Sequence, residues 1–311
     1  MNILIATDRS ATANHAASLV EMLPFHDCPS IHVTSVFPAS TEQTMYDLPP
    51  IPKENLQNDT RKVEAHLAQI KKHWESNGSP VTSSRKIGNP SFSILESADQ
   101  QDSDLIVVGA VGKSMIDRVM LGSVSDFVAT HASCSTMVIR QPSEHSPSVP
   151  KTILVALDGS SADSHLINFL RMYEWPDGTA LHLMHVVKNS SHHPSTNVDE
   201  GRDTWLQTNI MIREHANLIS QPISDLIPPI RIRITPADHI GEAITEYASH
   251  IKCDLIITGD SHRKFLNRVF SGSTSRYVLR HADCSVAIAR DVQCGTDTIR
   301  NIHETTQITS T

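Results

Sequence analysis

Ile3-Leu4-Ile5-Ala6-Thr7-Asp8-Arg9-Ser10 returns 150 residues later as Ile153-Leu154-Val155-Ala156-Leu157-Asp158-Gly159-Ser160. The same offset carries Asp104-Leu105-Ile106 onto Asp254-Leu255-Ile256, Gly109 onto Gly259, and Gly122-Ser123 onto Gly272-Ser273. It also carries His131, Cys134 and Arg140 onto His281, Cys284 and Arg290. One offset serves both ends, so insertions and deletions between the halves cancel. The chain reads as two copies of one domain, 1–140 and 151–290. Residues 141–150 between them are rich in Pro and Ser, as an exposed linker is. The polar, Thr-rich stretch 291–311 is expected to be a mobile tail.

Each copy alternates short apolar runs with longer amphipathic stretches. In copy one, strands are predicted near Asn2–Thr7, Ser30–Phe37, Pro80–Ile87, Leu105–Val108 and Thr136–Arg140. In copy two they fall near Thr152–Leu157, Ala180–Val187, Pro229–Ile234, Leu255–Thr258 and Val286–Ala289. Continuous apolar runs of this length suit strands buried on both faces. Helices are predicted over Ser10–Leu23 (with Ala11, His15, Leu19 and Met22 near one face), Lys53–Ser76, Pro90–Gln101 and Ser123–His131. Strand–helix alternation implies an α/β fold, a parallel sheet with helices on both faces. Ligands of such sheets bind outside the carboxyl ends of the strands, where the strand order reverses.

Composition removes other classes. The 311 residues are 39% hydrophobic and 19% charged, which suits globular domains. Copy one with its linker carries 11 basic and 16 acidic groups, and the whole chain has a net charge of −8. Neither half is basic, so a global nucleic-acid-binding face is not expected. No apolar run approaches the roughly 20 residues that span a bilayer. The first residues read as a buried strand, not a signal peptide, and five cysteines without a CxxC pair suit reduced thiols in a cytoplasmic protein.

The segments just after the first and fourth strands are therefore the candidate ligand loops. The first strand ends in Asp8, and in Asp158 in the second copy. The fourth ends in Gly109-Ala110-Val111-Gly112, followed by nine residues and then Gly122-Ser123 at a helix start. Glycines permit close approach of backbone N–H groups to an anion, and the helix N-terminus favours an oxyanion. Ser123 and Ser125 offer hydroxyl donors, and Lys113 and Arg118 offer positive charge. Two glycines after a strand also suit a tight turn and an ordinary helix cap. The full Gly-x-x-Gly, nine-residue, Gly-Ser spacing between strand four and the last helix is more specific.

That spacing resembles the ATP-binding signature of the universal stress protein family. With the strand-one Asp, the Asp-Leu-Ile entry to strand four and the closing His-Ala-x-Cys-Ser, the likeness covers nearly the whole chain, once per half. It is similar to the tandem members of the family. The resemblance implies a Rossmann-like fold of the adenine nucleotide alpha hydrolase type, a five-stranded parallel sheet in each copy, whose last strands can pair across a pseudo-two-fold axis. It places Ala6, Asp8 and Val36 near adenosine, Gly109 and Gly112 over ribose and phosphates, and Gly122, Ser123, Val124 and Ser125 around the phosphates. It implies ATP as ligand, with any Mg2+ or Mn2+ held through the phosphates, no membrane or nucleic-acid partner, and room for a homodimer of tandem chains.

Copy two departs from the pattern. Its second candidate site comprises Asp158, Gly259, Gly272, Ser273, Thr274 and Ser275, but His262 stands where the second glycine belongs. Asp260 is expected to set a carboxylate beside the anion site. Against this, Arg263, Lys264, Arg268, Arg276 and Arg280 form a basic run with no acidic residue, for which a solvated helix face with partner contacts is the favoured reading. The copies are therefore expected to be asymmetric, with nucleotide held mainly by copy one.

Eighteen histidines suggest no metal site: His182 and His185 are three apart on a strand and point to opposite faces, and His192-His193 lie in a polar loop. Cys134 and Cys284 are read as small core residues. The sequence lacks a P-loop, a dinucleotide fingerprint, a nucleophile elbow and a zincin helix. Three functions compete: a nucleotide-dependent regulator in the stress response, a slow ATPase using the same pocket with Asp8 as the nearest base, and a ligand-free interaction module. The complete signature of copy one argues against the last.

Overall fold

The computed structural model describes residues 1–37, 78–111, 121–140, 148–160, 163–189, 198–224, 230–260 and 272–290, with single positions between 61 and 75. In 198–205 only the backbone is described. The linker residues 141–147, the tail, Gly112, Lys113, Arg118, His192, His193, His262 and the basic positions 263, 264 and 268 lie outside the described residues. The chain divides into two compact units: one holds residues 1–21 and 27–140, the other Met22–His26 and the second copy to residue 291.

Unit 1 contains β1 (Asn2–Ala6), β2 (Ser30–Phe37), β3 (Val81–Ile87), β4 (Leu105–Gly109) and β5 (Ser135–Ile139), in the order β3-β2-β1-β4-β5. Its strand pairs are parallel, with Ile3 opposite both Ile31 and Leu105, and Gly109 opposite Ile139. Unit 2 repeats this with β6 (Thr152–Leu157), β7 (Ala180–Lys188), β8 (Ile230–Ala237), β9 (Leu255–Gly259) and β10 (Ser285–Ala289), in the order β8-β7-β6-β9-β10 and again parallel.

Burial explains why these runs became strands. Leu4, Ile5, Val33, Val107 and Ile139 are fully buried, as are Ile153, Leu154, Leu183, Ile256 and Ile288. Strands buried along their whole length need a helical layer on each face. The outer strands differ. Ile230-Arg231-Ile232-Arg233-Ile234 alternates with its charges on the exposed side, while Val81-Thr82-Ser83-Ser84-Arg85-Lys86-Ile87 buries only Val81 and exposes Arg85 and Ile87. Pro236 is accommodated in β8 because that strand is outermost in the unit.

The helices occupy the expected places with one correction. In Ala11–Met22 the buried side is Ala13, His15, Ala16, Ala17, Leu19 and Val20, while Ala11 is exposed and Met22 is 44% exposed. The packing stripe runs through small residues, which bring the helix close to the sheet. Pro90–Gln100 is capped by Asn89, whose side chain accepts from the Ser91 and Phe92 amides. It packs against Ser123–His131, as Ile240–His250 packs against Ser273–His281 in unit 2. Asp163–Leu170 packs against the long helix Val198–Ser220. No helix among the described residues is long and apolar enough to cross a membrane.

Candidate functional site

In each unit the strand order reverses between the first and fourth strands, opening a crevice at their carboxyl ends. In unit 1 this crevice is a cavity of about 300 Å³. Ala6, Asp8, Val36, Gly109, Gly122, Ser123, Val124 and Ser125 all line it. The structure thus brings together every proposed unit 1 residue except Gly112, which lies outside the described residues.

The turn after β1 is held by its own side chains. Asp8 Oδ1 accepts from the Ser10 amide at 2.8 Å, and Thr7 Oγ1 accepts from the Arg9 amide at 3.2 Å. Arg9 is bent to φ 64°, where Gly159 sits at φ 80° in unit 2. Ser10 Oγ then accepts from the Ala13 amide at 3.1 Å, capping the first helix. That cap takes up the Ala13 amide, although Ser10 and Ala13 both line the cavity.

The helix Ser123–His131 is different. It begins after Gly122, which has no side chain to cap it, and its first intrahelical bond runs from the Asp126 amide to the Gly122 carbonyl. The Ser123, Val124 and Ser125 amides open the helix at the cavity. Gly122 has φ −68° and ψ 149°, a region open to any residue, so the backbone does not demand glycine there.

Two details revise the residue roles. The Ser125 hydroxyl donates to the Gly109 carbonyl at 2.7 Å and to the Ala110 carbonyl at 3.2 Å, so its proton ties the helix to β4 and is not offered to a ligand. Gly109 is required by packing: a Cβ there would stand 3.0 Å from the Ala13 nitrogen and from the Thr12 carbonyl carbon. The other wall of the cavity is apolar, with Pro90, Ile94 and Val108, and Thr34 adds a polar group. Sequence reading missed this wall because Pro90 and Ile94 come from a helix remote from both glycine motifs.

Unit 2 has a matching cavity of about 380 Å³, lined by Asp158, Gly259, Gly272, Ser273, Thr274 and Ser275. Ser275 donates to the Gly259 carbonyl at 2.8 Å, as Ser125 does in unit 1. Asp163, His185, Thr208 and Ile240 also line it. Asp163 is buried and stands where unit 1 has Ala13. Its carboxylate accepts from the Asp158 amide at 3.0 Å and the Gly159 amide at 2.9 Å, and pairs with His215 Nε2 at 3.0 Å. Burial raises its pKa above the ordinary value, against the lowering effect of these bonds. His185 stands where unit 1 has Ser35, and burial lowers its pKa. The 150-residue offset held the signal for both changes; His215, on a distant helix, had none.

One expectation for unit 2 is overturned. Asp260 does not stand in the anion site. It is buried, and its Oδ2 accepts from Arg290 Nε at 2.8 Å with both side chains almost fully enclosed. The residue comes directly after β9, and the chain carries it toward the end of β10, where Arg290 waits; the Asp260 amide bonds the Ala289 carbonyl. His182 behaves as a packing histidine, bonding Tyr247 Oη at 2.9 Å. No group of three or more His, Cys, Asp and Glu poised for a metal occurs among the described residues.

Comparison with known proteins shows the family and the fold. The sequence profile described as the universal stress protein family matches residues 1–140 and again 150–290. Universal stress protein Sll1388 of Synechocystis is 26% identical over 148 residues, 44% of this chain and 96% of that protein. Universal stress protein MJ0531 of Methanocaldococcus jannaschii is 36% identical over 76 residues, 24% of this chain. The match spans about half of MJ0531, 45% of its length, and 57% of a Methanothermobacter thermautotrophicus universal stress protein. Among solved structures, a universal stress protein from Archaeoglobus fulgidus shares the fold with a TM-score of 0.60 at 17% identity, over 93% of this chain and 96% of that one. A functionally unknown protein, PA1789 of Pseudomonas aeruginosa, does so with a TM-score of 0.65 at 13% identity, over 99% and 97%. The chain belongs to the universal stress protein family and carries the family's domain twice in tandem.

Proposed function

We propose that unit 1 binds ATP and that the chain acts as a nucleotide-dependent regulator in the stress response, in the cytoplasm. The observation that carries this reading is the uncapped start of Ser123–His131 facing the same cavity as Asp8 and an apolar wall. The adenine ring packs against the apolar residues Val36 and Ile94 of the cavity wall in this reading. Asp8 accepts from the ribose, and the Ser123, Val124 and Ser125 amides donate to phosphate oxygens, with the helix dipole adding to the attraction. A cavity of about 300 Å³ is within the range of small-molecule sites. Mg2+ or Mn2+ accompanying ATP is held through the phosphates.

Unit 2 takes no ATP in this reading. Its extra carboxylate, Asp163, occupies the backbone amides at the end of β6 and disfavours a polyanion beside it. Native mass spectrometry of the purified full chain tests both statements. One adenine nucleotide per chain is expected, and two per chain would refute the asymmetry. Gly122→Val is expected to weaken ATP binding at least tenfold with an unchanged melting temperature, since valine fits that backbone but fills the space before the amides. Unchanged affinity in this variant would remove the site assignment.

A further inference from the structure

Unit 2 holds a feature that the cavity does not use. Cys253 and Cys284 stand at the entries to the adjacent parallel strands β9 and β10, whose register sets Ser285 opposite Leu255. Neighbouring strands lie about 4.8 Å apart, so Cα atoms one residue out of register are separated by about 6 Å, inside the disulfide range. Both cysteines precede the regular strands, where alternation no longer sends side chains to opposite faces. Cys284 is the neighbour that acts most strongly on the Cys253 thiol, raising its pKa. Cys253 is buried, and its thiol also donates to the Leu255 carbonyl at 3.1 Å. Cys284 is partly exposed, which corrects its reading as a core residue. Unit 1 has Ser103 and the buried Cys134 at the matching positions, so no such pair exists there.

We propose that Cys253 and Cys284 form a reversible disulfide under hydroperoxide, with Cys284 meeting the oxidant and Cys253 resolving it. The Cys284 thiolate attacks the O–O bond of hydrogen peroxide, takes one oxygen as a sulfenic acid and releases hydroxide. The Cys253 sulfur then attacks the Cys284 sulfur and gives up its proton, and the oxygen leaves as water. Two thiols and one peroxide become one disulfide and two waters. The effect of Cys284, and then burial, push the Cys253 thiol upward, which leaves Cys284 as the thiol that meets the oxidant. The link lies at the opposite end of β9 from Gly259, about 16 Å from the cavity at 3.3 Å per residue, and does not depend on the ATP reading.

The test uses the full chain with Cys294→Ser, which leaves Cys28 and Cys134 as the other thiols. Protein is treated with hydrogen peroxide, unfolded, blocked with N-ethylmaleimide and digested with trypsin without reductant. The expected product joins the peptides 253–263 and 281–290, with a loss of two hydrogens that dithiothreitol reverses. In Cys253→Ser, the Cys284 peptide is expected to gain one to three oxygens instead. In Cys284→Ser, Cys253 is expected to alkylate fully after unfolding. Full alkylation of both cysteines after peroxide would overturn the proposal, as would a Cys284 link to Cys28 or Cys134.

Discussion

Gly109→Ala and Gly259→Ala make the same change at matched positions and are expected to have opposite outcomes. Neither glycine has a positive φ, so the backbone permits alanine at both. At Gly109 the new Cβ would lie 3.0 Å from the Ala13 nitrogen, 3.0 Å from the Thr12 carbonyl carbon and 3.1 Å from Thr12 Cβ. Two of these are main-chain atoms of a helix start fixed by the Ser10 cap at 3.1 Å, and the Gly109 carbonyl is itself held by Ser125 at 2.7 Å. Neither side can yield cheaply, so a cost of about 1–3 kcal/mol is expected in unit 1, the usual range for overpacking. At Gly259 the nearest atoms are Leu166 Cδ2 at 3.7 Å and Cγ at 4.0 Å, ordinary contact with a side chain that can shift. Alanine there fills space and reduces unfolded-chain entropy, for a gain of about 0.4–1 kcal/mol. A two-unit chain need not unfold in one transition. Local hydrogen exchange is therefore the assay, read by mass spectrometry on peptides from β1 and β4 against those from β6 and β9. Equal losses in both variants would refute the packing argument for Gly109.

Other expectations rest on single residues. Arg9→Gly relieves a left-handed backbone at φ 64° and is expected to stabilise unit 1 by about half to one kcal/mol in urea unfolding; a loss would show that the side chain matters more than the strain. Asp260→Ala leaves the Arg290 guanidinium buried without its carboxylate, and about 3–5 kcal/mol of unit 2 protection should disappear; a cost below 1 kcal/mol would contradict the enclosed ion pair. His15, His32, His182 and His185 all have pKa values lowered from 6.5, burial being the first cause. Their folded forms take up protons less readily than the unfolded chain does, so their contribution is present above pH 6.5 and lost as the pH falls through their folded values. Asp163, raised from 3.8, acts oppositely: its contribution is present below 3.8 and lost as the pH rises through its folded value. The melting temperature should thus fall from pH 7.5 to 5.5, and His182→Gln should reduce that fall; a flat profile would contradict the buried neutral histidines.

Most of the fold was legible because its signals are local. The apolar runs of the central strands, the helix start at Pro90 and the glycine-started helices each lie within a few residues. β2 and β6 fall where expected, and the other strands within a few residues of their expected ends. The candidate cavity of unit 1 was legible for a related reason: strand ends and helix starts converge at the reversal of strand order, so residues far apart in the chain are predictable neighbours. Asp260 was misplaced because its partner is 30 residues away, and only the register of β9 with β10 brings the two together.

By itself the sequence determined that one domain occurs twice, that each copy is a parallel α/β unit, and that Asp8 and the Gly122 turn face one crevice. Periodicity and the 150-residue offset carry that much because each is a property of the chain read along its length. Tertiary structure alone decided what particular atoms do. It spends the Ser125 hydroxyl on the Gly109 carbonyl, gives Gly109 a packing role, encloses Asp260 with Arg290, and sets Asp163 against His215. Each depends on which side chains meet across strands and helices. That is fixed by packing and by hydrogen bonds between distant segments, and no pattern along the chain records it.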